Sequence, residues 1–594
     1  MYLPTRAFGF VWDDLELIVG NIFLHEGRWD RLLAADYWVS TGRSSGMWRP
    51  LVMASYRLDG VLSGFTPAHF HMVNAMLHAL ASSLVAVLAL ELGAGGFVAA
   101  AVGLFFATAP AASESVAWIS GRTDLLCGLF AFLAVILERR ARGGGRRWRV
   151  AALLAAAAAL LAKETALMLP ALLLADASTD RSRSWRQRCN NLAPYFVLLV
   201  VWGVSHRAFA DPMLGATDAD PRQTFGAAEL LFAHLVYLWP LAPHVALLDW
   251  HQPGQVVSAV AWVALAAMLV LMVVGIVRGR RWAFPLALLI LPLVPVCASA
   301  FFGQQARFAE RMLYLPLAGA ALGLGMLASS RPRRSMLGAC ALVALAVAQG
   351  SVSLPVIAAW CSDETRIARI ASTRPGDLDA TLGLADLMGS EGRYVEAREL
   401  IGRADRANPG RVEIAVALAA LALRQGDPTE ALAQAEAART RDPEAAGAAL
   451  LRLRALGELG RRDEALVGAR EAFGQHPQDA QLEAALGHAL LWADQPGEAL
   501  ARLSSAAHRS PQDAAIAYDQ GVAAARLGRT SEAQAALVRA VTADPGLYDA
   551  WLVLAHLRAG AGDIAGAGQA ISHAETLPAA ADGRARALRL SMRH

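Results

Sequence analysis

The chain has 594 residues, 56% of them apolar, and a mean hydropathy of +0.38, which excludes an ordinary soluble protein of this size. A net charge of +3 with locally clustered basic residues does not imply nucleic acid as a partner. The five cysteines lie in or beside apolar segments and form no disulfide framework, and the first residues are too short to hold a signal-peptide core.

Taken in order, the chain opens on Phe10-Val11-Trp12-Asp13-Asp14, two adjacent carboxylates beside aromatics. Residues 15–70 follow as a polar, aromatic loop with Trp29, Tyr37, Trp38, Trp48, Tyr56 and Phe65, a density that suits the bilayer interface. Apolar spans are expected at about 72–92, 96–111, 120–137, 150–162, 165–176, 192–210, 256–277, 283–302, 311–329 and 336–358. Arginines cluster at 139–149, 181–188, 278–281 and 331–334, and the positive-inside rule puts all four clusters in the cytoplasm. That orientation works if 226–248, with Pro240 and Pro243, dips into the membrane and returns. Asp13, Asp14 and everything after Trp360 then lie on the non-cytoplasmic side.

Ionisable residues at the outer ends of these spans are the candidates for chemistry: Glu114, Arg122, Asp124, Lys163, Glu164, Arg307, Glu310 and Arg311. Lys163 is the single lysine among 54 basic residues, which suggests that a compact ammonium is required there. The alternative is that Lys163–Glu164 and Arg122–Asp124 are internal ion pairs that lock helices. His71, Asn74 and His78 share one helix face, read as hydrogen-bonded structure. The Cys/His spacing supports no metal site. No cofactor is required, and a divalent metal finds no support in ligand spacing.

After residue 360 the pattern changes. Prolines 375, 409, 443, 477, 511 and 545 recur every 34 residues, the tetratricopeptide period. Ala397, Ala431, Ala465, Ala499 and Ala533, then Ala404, Ala438, Ala472, Ala506 and Ala540, keep the same period, with Gly487 and Gly521 at helix-A positions. The expected fold class is all-α, a polytopic helical membrane domain followed by a repeat α-solenoid. Its divisions are 1–70 (first loop), 71–360 (membrane domain), 361–377 (linker), 378–579 (six repeats) and 580–594 (basic cap or tail). Such solenoids bind peptides or proteins in a concave groove.

FVWDD (10–14), WRPL (48–51), FHMVNAMLHAL (70–80), ESVAWISGRTDLL (114–126), AKET (162–165) and AERMLYLP (309–316), followed by the repeats, together resemble the transmembrane and tetratricopeptide-repeat O-mannosyltransferase family, multi-pass glycosyltransferases of the GT-C class. The resemblance implies transfer of a sugar, typically mannose, from a polyprenyl-phosphate carrier to protein hydroxyls on the non-cytoplasmic side of a bacterial inner membrane. Two features depart from the family pattern: the span that normally precedes the Asp-Asp loop is not seen ahead of Asp13, and Ala109 and Ala112 stand where many relatives have histidines.

The chemistry such a transfer needs is a base for the acceptor hydroxyl and cations for the departing phosphate. Asp13 and Asp14 are the catalytic candidates, with Asp13 the base to which the resemblance points. They are expected to titrate as a coupled pair that holds one proton more tightly than usual. The charged residues named above are the substrate-binding candidates, and direct displacement inverts the anomeric centre. The partners implied are the lipid-linked donor, a protein acceptor held by the repeats, and membrane lipid. Two rival readings are a non-catalytic membrane-anchored scaffold for periplasmic proteins and a transferase acting on a glycan or lipid acceptor.

Overall fold

In the computed structural model the chain folds into helices, with no strand among the described residues. These are residues 1–41, 45–180, 183–210, 255–295, 309–330, 335–373, 377–511, 513–577, 579 and 583–591. They fall into two units, Met1–Thr373 and Arg374–His594, each with its own apolar cores.

Five helices among the described residues of the first unit are long and apolar enough to cross a membrane: Pro67–Glu91, Ile119–Arg142, Trp185–Phe209, Glu310–Ser329 and Ser335–Ala359. Gly96–Thr108 and Pro110–Ala117 pass the same test together, bent by 56° at their break. Among the described residues the expected span at 96–111 is thus broken, as the prolines in other spans also led one to expect of the domain. The segment 150–162 belongs to the helix Arg146–Ala162, which stops at Lys163, and 165–176 divides between a 3-10 turn and the helix Leu169–Ala177. Gln255–Val277 is a further apolar helix of 23 residues, and Ala283–Leu293 is a shorter apolar one. The proposed dip at 226–248 lies outside the described residues.

Local signals set the helix ends. Pro50 and Pro67 start their helices, where a missing N–H costs nothing, and Ser184 with Gln187 forms a capping box ahead of Trp185. On Trp185–Phe209, Phe196, Val197, Val200, Val201 and Val204 are exposed, a face that suits lipid rather than water. Ile119–Arg142 and Arg146–Ala162 make a hairpin whose turn, through Gly144 (φ 103°) and Gly145 (φ 136°), lies among the arginines. The ends carrying Asp124 and Lys163 are thus the ends away from the arginines.

The loop 15–70 departs from expectation. It does not spread its aromatics over an interface: Tyr37, Trp48 and Tyr56 are buried in the core, while Trp29 is about half exposed. Residues 50–63 are a helix, Pro50–Ser63. Residues 361–377, read as a linker, contain the helix Asp363–Thr373, which belongs to the first unit.

The second unit consists of antiparallel helix pairs, from Leu378–Ser390 with Tyr394–Ala407 through Tyr548–Gly560 with Ile564–Glu575, followed by Arg584–Ser591. The period-34 alanines are the contact points: Ala397, Ala431, Ala465, Ala499 and Ala533 are fully buried. Gly487 and Gly521 serve the same close approach, since a Cβ there would come within 2.5 Å of Leu503 Cγ and 2.7 Å of Leu537 Cγ.

Candidate functional site

The site is built around the first carboxylate pair. Trp12 adopts a left-handed backbone, φ 54°, and Asp14 begins a π-helical turn, Leu15–Val19. The two carboxylates consequently part. Asp14 is fully buried and accepts from Ser120 N (2.9 Å), Ser120 Oγ (2.5 Å) and Val11 N (3.2 Å). Burial pushes its carboxyl up to about 7, against the pull of those hydrogen bonds and with the Asp13 charge adding to the rise. The coupling expected between the two is therefore chiefly a burial effect on Asp14.

Asp13 lines a cavity of about 480 Å³ in the first unit, together with Tyr37, Arg49, Lys163, Glu164 and Arg311 among others. Each of these three cations is held by a carboxylate. Lys163 Nζ lies 2.6 Å from Asp124 Oδ1, Arg49 Nη2 lies 2.9 Å from Glu164 Oε2, and Arg311 pairs with Glu114, whose other oxygen accepts from Arg311 N at 3.0 Å. The side chains of the lysine pair are 11% and 8% exposed. These partly dehydrated ion pairs leave the cavity lined by both signs of charge.

The ion pairs read from sequence are corrected by this geometry. Lys163 is not paired with Glu164, nor Arg122 with Asp124. Arg122 is fully buried and bonded to Asp59 (2.5 Å), Asn74 Oδ1 (2.8 Å) and Phe70 O (3.0 Å), so it braces helices behind the cavity. Glu310 is buried at the start of the turn that presents Arg311. Arg307 lies outside the described residues. His71 Nε2, Asn74 and His78 Nδ1 bond to Gly9 O, to Trp118 O and Arg122, and to Tyr314 Oη. No group of three His, Cys, Asp or Glu side chains suited to a metal occurs among the described residues.

Several cavity residues had escaped selection as site residues. Arg49 lay within the WRPL motif, which was a usable signal; Tyr37, Trp202 and His206 carried none. Trp202 donates Nε1–H to Leu160 O at 3.0 Å, and its ring lies 4.7 Å from that of His206. They give the cavity an aromatic wall on the side of Trp185–Phe209.

The tetratricopeptide-repeat family model matches residues 390–454. The chain is similar to Protein O-mannosyl-transferase Tmtc2 of Drosophila melanogaster, 39% identical over 158 residues that make up 25% of this chain and 17% of that protein. It is also similar to Protein O-mannosyl-transferase Tmtc1 of the same organism, 40% identical over 142 residues, 23% of this chain and 16% of that one. Relatives and repeats together support the transmembrane and tetratricopeptide-repeat O-mannosyltransferase family. The matches span only 16–17% of the length of these relatives. Among solved structures, a thermophilic TPR protein of Thermus thermophilus is 24% identical, covering 30% of this chain and 98% of that one at a TM-score of 0.28.

Proposed function

We propose that the chain is a membrane glycosyltransferase that moves a sugar, mannose by the names of its relatives, from a polyprenyl-phosphate carrier to Ser/Thr hydroxyls of proteins. The observation that carries this reading is the cavity itself, lined by two carboxylates, Asp13 and the Arg49-paired Glu164, and by three cations, Arg49, Lys163 and Arg311. Asp13 accepts the proton of the acceptor hydroxyl as its oxygen attacks C1 of the sugar. The C1–O bond to the phosphate breaks, and the negative charge that develops on the leaving phosphate falls among the three cations. One displacement inverts the anomeric centre. Asp14 stays out of the chemistry and anchors the turn through Ser120. The repeats hold the acceptor polypeptide, in keeping with the helix-pair groove.

The orientation proposed is non-cytoplasmic for both Asp13 and the repeats, in a bacterial inner membrane. The arginine turn of the 119–162 hairpin, opposite Asp124 and Lys163, supports it. Alkaline phosphatase fused after Thr373 is then active, and fused after Arg147 inactive.

The deciding experiment is transfer from polyprenyl-phosphate mannose to a Ser/Thr peptide by the purified full chain. Asp13→Asn should lower the rate by about 10²–10⁴-fold. Near-parental transfer by that variant would remove Asp13 from the mechanism. No transfer by the parent chain with this donor would overturn the function proposed.

A further inference from the structure

Asp13 owes its direction to the residue before it. A left-handed backbone is rare for an aromatic residue and persists only where the surroundings enforce it. Trp12 is one of three non-glycine residues with positive φ among the described residues, and the one that adjoins a cavity carboxylate.

What enforces it comes from the far end of the first unit. The N–H of Trp12 donates to Asp363 Oδ2 at 3.1 Å, across 351 positions of sequence. The other oxygen, Asp363 Oδ1, is taken by Arg366 through Nη2 (2.8 Å) and Nε (3.1 Å), which fixes the carboxylate and leaves Oδ2 for Trp12. The same guanidinium lies 5.0 Å from the centroid of the Trp12 ring. The ring stacks on Trp118 at 5.0 Å, and Trp118 stacks on Trp360 at 5.9 Å. Gly9 N also donates to Cys361 O at 3.3 Å. Residues 360–366 thus grip the 9–12 segment through backbone, ring and charge.

We infer that Asp363, seated by Arg366, is a positioning residue that holds Trp12 in its left-handed turn and so aims Asp13 into the cavity while Asp14 turns inward to Ser120. This rests on the reading of Asp13 as the base. A helix-starting Asp whose only work is to stabilise the helix Asp363–Thr373 would lower stability but would not act through Asp13.

The two are separated by a double-mutant cycle on the purified full chain, with polyprenyl-phosphate mannose and a Ser/Thr peptide as probes. Asp363→Ala should lower kcat on the order of 10–100-fold, the scale of a catalytic group misplaced by about 1 Å, with the KM for donor little changed. Asp363→Asn, whose amide oxygen still accepts from Trp12 N–H but whose amide N–H₂ meets the Arg366 donors, should recover only part of the loss. In an Asp13→Asn background, Asp363→Ala should cost nothing further, because the group it aims is gone. Where Asp363→Ala does not survive purification, Arg366→Gln reads the same coupling, with a loss of kcat that vanishes in the Asp13→Asn background. Near-parental kcat for these variants, or losses that add to that of Asp13→Asn, overturns the positioning role while leaving the base intact. Near-parental transfer by Asp13→Asn alone overturns the base, and the positioning role with it.

Discussion

Lys163 Nζ sits 2.6 Å from Asp124 Oδ1, so the single lysine of the chain ties the ends of two helices away from their arginine turn rather than neutralising its sequence neighbour Glu164. Lys163→Met alone leaves Asp124 buried without its cation, a costly arrangement that should destabilise the first unit. Adding Asp124→Asn should restore folding, read by size exclusion in detergent. Transfer should stay down by about 10²–10³-fold, the cost of one preorganised charge in a dry site. Parental transfer by the folded double variant would take Lys163 out of the proposed mechanism.

Arg49 makes two contacts with Glu164, through Nη2 at 2.9 Å and Nε at 3.4 Å. A lysine keeps the charge but not the planar fork. Arg49→Lys should therefore lose roughly 10-fold in kcat/KM, and Arg49→Met about 10²–10³-fold. Equal activity of the two variants would show that the fork, and not the charge, is what the site uses.

The raised Asp14 carboxyl makes a pH prediction whose sign is fixed. Between the ordinary carboxylate value and about 7, the folded chain holds a proton there that the unfolded chain has released. The contribution of Asp14 to stability should fall as pH rises through that window and level off above it. Asp14→Asn does not titrate and places an amide N–H₂ against the donors of Ser120 and Val11. It should be less stable than the parent, by a gap that narrows from about pH 4 to about pH 7 in thermal unfolding. A gap that widens over that range would mean that Asp14 is held ionised.

In the repeats, His488 Nδ1 lies 2.6 Å from Asp519 Oδ2. Burial pulls its pKa down, but the hydrogen bond and charge of Asp519 outweigh burial and raise it above the ordinary histidine value. Its stabilising contribution is complete below that ordinary value, about 6.5, and is lost as pH rises through the folded one. Amide exchange in 480–526 should quicken across that rise in the parent and less so in Asp519→Asn. Identical pH profiles would show the pair to be without energetic consequence.

The repeats were legible because a solenoid writes its packing into a fixed period: each alanine at 34-residue spacing is a place where two helices touch. The motif residues Asp13, Lys163, Glu164 and Arg311 were legible as types, and the structure brings them to one cavity. Their partners were not legible. Lys163 with Glu164 and Arg122 with Asp124 are one and two positions apart, and side chains so spaced do not face each other on a helix. Tyr37, Trp48 and Tyr56 misled because aromatic density looks the same in a bilayer interface as in a buried core. Which of the two aspartates faces the cavity depends on one backbone angle at Trp12, and no residue type there announces it.

The grip of residues 360–366 on the 9–12 segment bears on how this protein is to be cut. Hydropathy places the end of the membrane portion at Trp360, an obvious stop codon for anyone wanting that portion without the repeats. A chain ended there would lack Asp363 and Arg366, and inactivity would be blamed on the missing repeats. Ending it at Thr373 keeps the helix Asp363–Thr373 and gives the fair comparison.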